Sequence, residues 1–306
     1  MSNEKWLITG IEGFVGSHLQ VHLLARKYKV YGTSWEQKYV DDQNVFLLYL
    51  TDKNQIEEVM TRVKPDFLVL LAGFSSMRDS FDKREECLQA NCESTRHFLN
   101  AIQKLRLNTK VLTVSSAMVY CPSDEMLDET SPVCNSSPYA ESKIKQEGLI
   151  KEFPEIPIIN SRSFNHTGPG QNSSFLIPKL AQAFVEAPGN EVELTLGDID
   201  AERDFLDVRD VCEAYRILLE ENPKHKIYNV CSSKCWSIRE VIALFEKISG
   251  KKALFCLNHD FAASAERKRI LGNNQRILAE TSWRPKIPFE ITVGDIYQYW
   301  KNKYGK

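Results

Sequence analysis

Apolar positions follow two rhythms along this chain, and the first half alternates between them. Lys5-Trp-Leu-Ile-Thr9 is a short apolar run that reads as a buried strand, and an amphipathic stretch to about Lys27 reads as a helix. The same pair recurs. Strands are predicted at Lys29–Thr33, near Val45–Tyr49, at Phe67–Leu71, at Lys110–Val114 and at Ile156–Asn160. Helices are predicted near 54–64, over about 84–105 and from Pro138 onward. Phe67-Leu-Val-Leu-Leu71 is apolar throughout, as a central strand covered on both faces must be. Strands alternating with helices imply a parallel sheet flanked by helices on both sides. The second half is less regular: a helix carrying Lys179, a short strand at Tyr228–Cys231, and helices near Ile238–Ser249 and Ile291–Lys303. No linker or low-complexity segment separates the halves.

Between the first strand and the first helix stands Gly10-Ile-Glu-Gly13-Phe14-Val15-Gly16. A glycine turn at a helix N-terminus lets backbone N–H groups approach an anion, and the helix dipole favours negative charge there. The end of the second strand is where an acidic residue would hold a ribose 2′-hydroxyl. Thr33, Ser34 and Trp35 are neutral there, with Glu36 one step beyond. That leans toward NADP(H), with NAD(H) the alternative, although no arginine occupies the turn to clasp a 2′-phosphate. Trp35 either flanks the adenine or is an ordinary half-exposed aromatic. Leu71-Ala72-Gly73 closes the fourth strand with small residues that a cofactor could cross, and Ser75-Ser76 follow on the loop. Asn91, inside the long helix, reads as a packing or hydrogen-bonding residue rather than a catalyst.

The fifth strand runs into Ser115-Ser116, at the carboxyl end where open α/β sheets bind ligands. Downstream, Pro138 suits a first helical turn, and Tyr139 and Lys143 follow at i and i+4 on one helix face. A free phenol has a pKa of about 10, so an ammonium one turn away would lower it and ready the tyrosine for proton exchange with an alcohol or ketone.

Thr9-Gly10-x-x-Gly13-Phe14-x-Gly16, Leu71-Ala72-Gly73, Ser115-Ser116 and Tyr139-x-x-x-Lys143, in that order, resemble the extended short-chain dehydrogenase/reductase family. The resemblance implies a Rossmann-type doubly wound parallel α/β sheet (residues 1–163). It also implies a smaller C-terminal α/β substrate-binding domain (164–306), with an interleaved boundary and some C-terminal segments returning to the sheet. It implies Ser116, Tyr139 and Lys143 as the catalytic set. The cofactor would meet Gly10, Gly13, Phe14, Val15, Gly16, Thr33, Ser34, Leu50, Leu71, Ala72, Gly73 and Ser115, besides Tyr139 and Lys143. Relatives often carry an aspartate at the end of the third strand, where Tyr49-Leu50 stand here.

Further blocks narrow the resemblance: Phe164-Asn165-His166-Thr-Gly-Pro-Gly-Gln171, Leu196-Gly-Asp-Ile-Asp200, Arg203-Asp-Phe-Leu-Asp-Val208 and Tyr228-Asn-Val-Cys-Ser232 look like those of GDP-6-deoxy-4-keto-D-mannose reductases. By that resemblance Asn165, Lys179 and Arg203 would contact the nucleotide diphosphate or ribose. Ser75 and Ser76 would face substrate, and Glu266 would stand in for the glutamate of an Arg-Pro-x-Glu segment whose arginine and proline are replaced by Ala263-Ser264. On their own, an Asn and a His on such a Gly/Pro-rich loop can equally well tie it down. Dehydratases of this family have an acidic residue or pair directly after the serine, and GDP-fucose synthases have a cysteine at the first of those positions. Here Ala117 and Met118 follow. The implied activity is NAD(P)H-dependent reduction of the C4 ketone of a nucleotide-linked 4-keto-6-deoxy sugar, GDP-4-keto-6-deoxy-mannose to GDP-rhamnose or a close relative. The alternatives are a 4-epimerase with tightly held NAD, a reductase of a dTDP-linked sugar, and a dinucleotide sensor without catalysis.

Composition narrows the partners. The 306 residues carry a net charge of −2, with 42% hydrophobic and 26% charged residues. No Lys/Arg run points to nucleic acid or a membrane surface, and no apolar stretch approaches a membrane span. The N-terminus has no apolar signal region. Eight scattered cysteines without a C-x-x-C pair imply reduced thiols and a cytoplasmic location, and six histidines without clustering imply no metal site. The family expectation is a homodimer acting on a nucleotide sugar.

Overall fold

The computed structural model describes residues 3–41, 43–257 and 268–304. Its centre is a seven-stranded parallel sheet formed by β1 (Lys5–Thr9), β2 (Lys29–Ser34), β3 (Val45–Leu47), β4 (Phe67–Leu70), β5 (Lys110–Ser116), β6 (Ile158–Ser163) and, as numbered in chain order, β10 (Ile227–Val230). The strand order is β10-β6-β5-β4-β1-β2-β3. The chain therefore winds outward from β1 in one direction, then returns to β4 and winds the other way. The crevice outside the carboxyl ends of β1 and β4 is the point where such sheets bind ligands.

Strand pleating explains the continuous apolar runs. Trp6, Ile8, Phe67 and Val69 pack on one face with Leu19 and Leu23 of α1 (Phe14–Ala25) and Val211, Tyr215 and Leu218 of α7 (Val208–Glu220). Leu7, Leu68 and Leu70 point the other way. They meet Ile56 and Met60 of α2 (Lys53–Val63), Phe98 and Leu99 of α4 (Ser94–Lys104), and Leu149 of α5 (Pro138–Glu152). The segment 208–230 lies beyond the 163/164 boundary in sequence, yet α7 and β10 pack into this layer system.

A separate core is formed by α6 (Leu176–Glu186), α8 (Ile238–Ser249) and a last helix, α9 (Phe289–Tyr304), over strands β8 (Glu191–Leu196), β9 (Glu202–Asp207) and β11 (Lys252–Leu257). β8 alternates exposed Glu191 and Glu193 with buried Val192 and Leu194, the pattern of a strand covered on one face only. A three-residue strand, β7 (Asn165–Thr167), pairs with β9 and carries the chain from the large sheet into this region.

The helix expected over 84–105 is interrupted. α3 (Arg84–Leu88) passes through a π turn at Gln89–Glu93 before α4 begins. Asn91 sits in that turn. Its side chain accepts from Phe74 N (2.8 Å) and donates to Phe74 O (3.1 Å) and Ser142 Oγ (2.9 Å). It pins the loop after β4 to α5, a hydrogen-bonding role as its position in the sequence indicated.

Candidate active site

The first wall of the site is the glycine turn. Gly10 has φ +66°, in the left-handed region, and its N–H and that of Ile11 donate to Thr33 O at 2.9 and 3.1 Å. A Cβ at Gly16 would lie 2.9 Å from Ile11 Cα, so only glycine lets α1 start this close to the turn. Gly13 is the N-cap of α1 and offers no side chain to the first helical amides. Those donors remain available to an anion at the positive end of the helix. Ala72 N donates to Thr9 Oγ1 at 2.9 Å, joining the ends of β1 and β4 at the switch point. Thr33 and Ser34 are buried at the end of β2, whereas Trp35 is 64% exposed. The Glu36 carboxylate is drawn to Lys38 Nζ at 2.5 Å. Leu50 is half-buried against the α2–α4 core. These features fit a dinucleotide lying across the sheet edge.

The second wall is the junction of β5 and α5. Ser137 caps α5 by accepting from Ala140 N (3.1 Å), and Pro138 occupies the first turn. The helix then delivers Tyr139 to the neighbourhood of Ser116, whose hydroxyl accepts from Met118 N at 3.1 Å. Burial pushes the Tyr139 phenol up to about 12, with the nearby Ser116 hydroxyl opposing that rise in part. Lys143 is buried, and its ammonium donates to Val114 O (2.8 Å) and Gln146 Oε1 (3.3 Å). Desolvation brings its pKa down to about 8.

This corrects one expectation. The three predicted residues do come together, but Lys143 does not hold the Tyr139 pKa down in the protein alone. Its Nζ is 5.9 Å from the phenol ring centroid and is turned to the β5 carbonyl, so desolvation of the phenol dominates.

Ser115 needs a second correction. Adjacent strand residues face opposite sides, and Ser115 Oγ donates to Glu147 Oε1 at 2.6 Å, leaving only its main chain to meet a cofactor. Glu147 accepts two bonds from Arg162 as well (Nε 2.9 Å, Nη2 2.7 Å), both side chains being almost wholly buried. This pair clamps α5 to β6 directly behind the serines. Sequence reading missed it, because β5, α5 and β6 had to be stacked first.

The third wall belongs to a cleft of about 400 Å³ beside the large sheet. Asn165, Lys179 and Arg203, predicted from separate motifs, all line it, together with His166, Gln171 and Arg78. The loop 165–171 is braced from both ends. His18 of α1 bonds Pro169 O (2.8 Å), Thr167 Oγ1 donates to Gln171 Oε1 (2.7 Å), and Gln171 Nε2 donates to His166 O (3.2 Å). The His166 ring stacks parallel to Phe14 at 6.3 Å and bonds Phe164 O through Nδ1. Burial lowers its pKa, which favours the neutral ring. The loop thus both ties itself down and faces the cleft. Ser75 and Ser76 lie on the loop between β4 and α3, but Arg78 is the loop residue on the cleft wall, and Ser76 Oγ is engaged by Asp79 N. Glu266 lies outside the described residues.

A Rossmann-type sheet with a serine ending its fifth strand, and a tyrosine and lysine one turn apart on the next helix, defines a short-chain dehydrogenase/reductase of the extended type. A family model for GDP-mannose 4,6 dehydratase matches residues 7–296. The GDP-6-deoxy-D-mannose reductase of Pseudomonas aeruginosa is 30% identical over 98% of each chain. The GDP-6-deoxy-D-talose 4-dehydrogenase of Aggregatibacter actinomycetemcomitans is 27% identical over 90% of each. Among solved structures, RMD from Pseudomonas aeruginosa complexed with NADPH superposes with a TM-score of 0.83 at 29% identity over 99% of both chains. The chain belongs to the GDP-mannose 4,6-dehydratase family.

Proposed function

We propose that this protein reduces the C4 ketone of a nucleotide-linked 4-keto-6-deoxy sugar with NADPH, taking GDP-4-keto-6-deoxy-mannose to GDP-rhamnose or a close relative. One observation carries this reading: Ser116, which the fold brings beside Tyr139, is followed by Ala117 and Met118, which can neither take nor give a proton. Ketone reduction needs one proton donor and one hydride, whereas dehydration requires a further acid or base. Bound reduced nicotinamide supplies the hydride to C4. Ser116 and Tyr139 would hold the carbonyl oxygen by two hydrogen bonds. A phenol with its pKa near 12 keeps its proton at neutral pH and so arrives as an acid. It would give that proton to the oxygen as C4 becomes tetrahedral, and Lys143 would bind the nicotinamide ribose beside it.

The glycine turn, the buried Thr33–Ser34 corner, and Leu50, Leu71, Ala72, Gly73 and the Ser115 main chain would hold the cofactor. NADPH is preferred in this reading because the Glu36 carboxylate is ion-paired to Lys38 rather than left to repel a 2′-phosphate. The 29% identical RMD, complexed with NADPH, supports the same choice. Asn165, Lys179 and Arg203 would take the nucleotide diphosphate. All eight cysteines are free thiols, in keeping with a cytoplasmic enzyme. A homodimer joined through helices flanking the sheet, α5 included, completes the reading.

The test is direct. Purified protein mixed with NADPH and GDP-4-keto-6-deoxy-mannose should consume one NADPH per GDP-linked 6-deoxy sugar formed, read by absorbance and chromatography. Interconversion of two sugars without net NADPH loss, with NAD co-purifying, would replace the reductase by a 4-epimerase.

A further inference from the structure

The cleft is cationic from both sides. Lys179 on α6 and Arg203 on β9 come from the C-terminal region, while Arg78 enters from the loop after β4, part of the dinucleotide-binding layer. Among the described residues lining it, Asp198 is the one carboxylate set against these three cations, an excess of two positive charges that would balance the two negative charges of a diphosphate with both linkages esterified. Arg78 is exposed, and no carboxylate of the described residues pairs with it.

Its main chain, by contrast, is fixed. Phe81 N donates to Arg78 O at 3.3 Å, and Ser80 N donates to Ser76 O at 3.2 Å. Buried Ser80 donates through Oγ to Met77 O (2.6 Å) and accepts from Tyr139 N (3.2 Å). One turn further on, Arg84 forks onto Glu141 of α5 at 3.0 and 2.7 Å. The loop bearing Arg78 is therefore stitched to the backbone of the residue that gives the proton, while its guanidinium stands in the cleft.

We propose that Arg78 is a phosphate-binding residue: its guanidinium pairs with the substrate diphosphate held from the opposite wall by Lys179 and Arg203, so that the sugar nucleotide bridges the two halves. This rests on the sugar-nucleotide reading above and adds to it a contact from the catalytic side. A guanidinium matches two phosphate oxygens with two parallel N–H bonds, which an ammonium cannot do. Because the loop is anchored at Tyr139 N, the same contact sets the distance from the diphosphate to the reacting carbon.

Calorimetric titration of the NADPH-loaded protein with GDP, GMP and guanosine tests this in wild type, Arg78→Gln and Arg78→Lys. A charge-assisted pair predicts that Arg78→Gln weakens GDP binding by about tenfold or more, with guanosine changed less than about twofold. Arg78→Lys should fall between the two, and NADPH affinity should be the same in all three proteins. Equal GDP affinity in wild type and Arg78→Gln would overturn the proposal, as would an equal loss for GDP and guanosine. Wild-type protein that bound GDP no better than guanosine would overturn it together with the sugar-nucleotide reading, so the two failures give different titrations.

Discussion

Around Lys143 the protein is buried and closely bonded; around Lys179 the side chains stand in water. Lys143 is buried with two acceptors, Ser116 lies beside Tyr139, and the Glu147–Arg162 pair backs the end of β5 and α5. Across the cleft, Lys179 and Arg78 are exposed, and neither meets a carboxylate among the described residues. On the proposed reading the contrast follows from the work each region would do. Proton transfer needs fixed geometry and low polarisability, which require burial and a full set of hydrogen bonds. Capturing a doubly charged ligand needs unpaired cations, which survive only where water solvates them until the ligand arrives. Substitutions should therefore separate chemistry and stability on one wall from affinity on the other.

The largest separation is expected from Tyr139→Phe. The ring and helix stay, and only the proton is lost, so kcat should fall by a factor on the order of 10² or more. Lys179→Met on the far wall should instead raise KM by about tenfold with kcat nearly unchanged, the signature of binding that is uniform between ground and transition states. Steady-state kinetics over a range of the keto sugar reads both. A Tyr139→Phe enzyme with full kcat would remove the tyrosine from the chemistry.

Next in size is a stability effect. Glu147→Gln leaves Arg162 buried without its counter-charge, and breaking such a pair costs about 3–5 kcal/mol. Urea unfolding followed by circular dichroism should show the midpoint move strongly downward. Lys179→Met, at a solvated site, should stay within about 0.5 kcal/mol. Equal midpoints for Glu147→Gln and wild type would mean that the clamp behind the serines adds nothing.

Legibility in the sequence divides along the same line. The glycine turn and the Tyr139–Lys143 pair are local: each lies in one stretch whose period fixes the spacing, so strand, turn and helix could be read without tertiary contacts. The alternation rule could also have separated Ser115 from Ser116, since neighbours on a strand cannot share a face. The π turn at Gln89–Glu93 was hidden, and so was the bond its Asn91 makes to Phe74, which joins residues seventeen apart. Glu147 and Arg162 are fifteen apart and meet only once α5 is laid on β6. Asn165, Lys179 and Arg203 were found through family motifs rather than by spacing, and Arg78, outside any motif, was not found at all. The i, i+4 spacing of Tyr139 and Lys143 gave their separation correctly but not their burial, and burial sets the pKa of both.

That burial leads to the smallest of the expected effects. The Lys143 pKa is about 8 in the folded protein, below the value of about 10.4 for an unfolded lysine. Between those two values the unfolded chain binds a proton that the folded protein does not, so stability from this group rises with pH across that window. Below about pH 8 both states are charged, and the folded protein bears the full cost of a buried ammonium. Subtracting the unfolding free energy of a Lys143→Met variant from that of wild type isolates this contribution from the other titrating groups. In the absence of nucleotide, the difference should climb in favour of wild type by about 2 kcal/mol from pH 8 to pH 10. A difference that stayed flat would mean that Val114 O and Gln146 Oε1 fully compensate the buried charge. The lysine would then be a well-solvated cation like those across the cleft, and the contrast between the two walls would be one of position only.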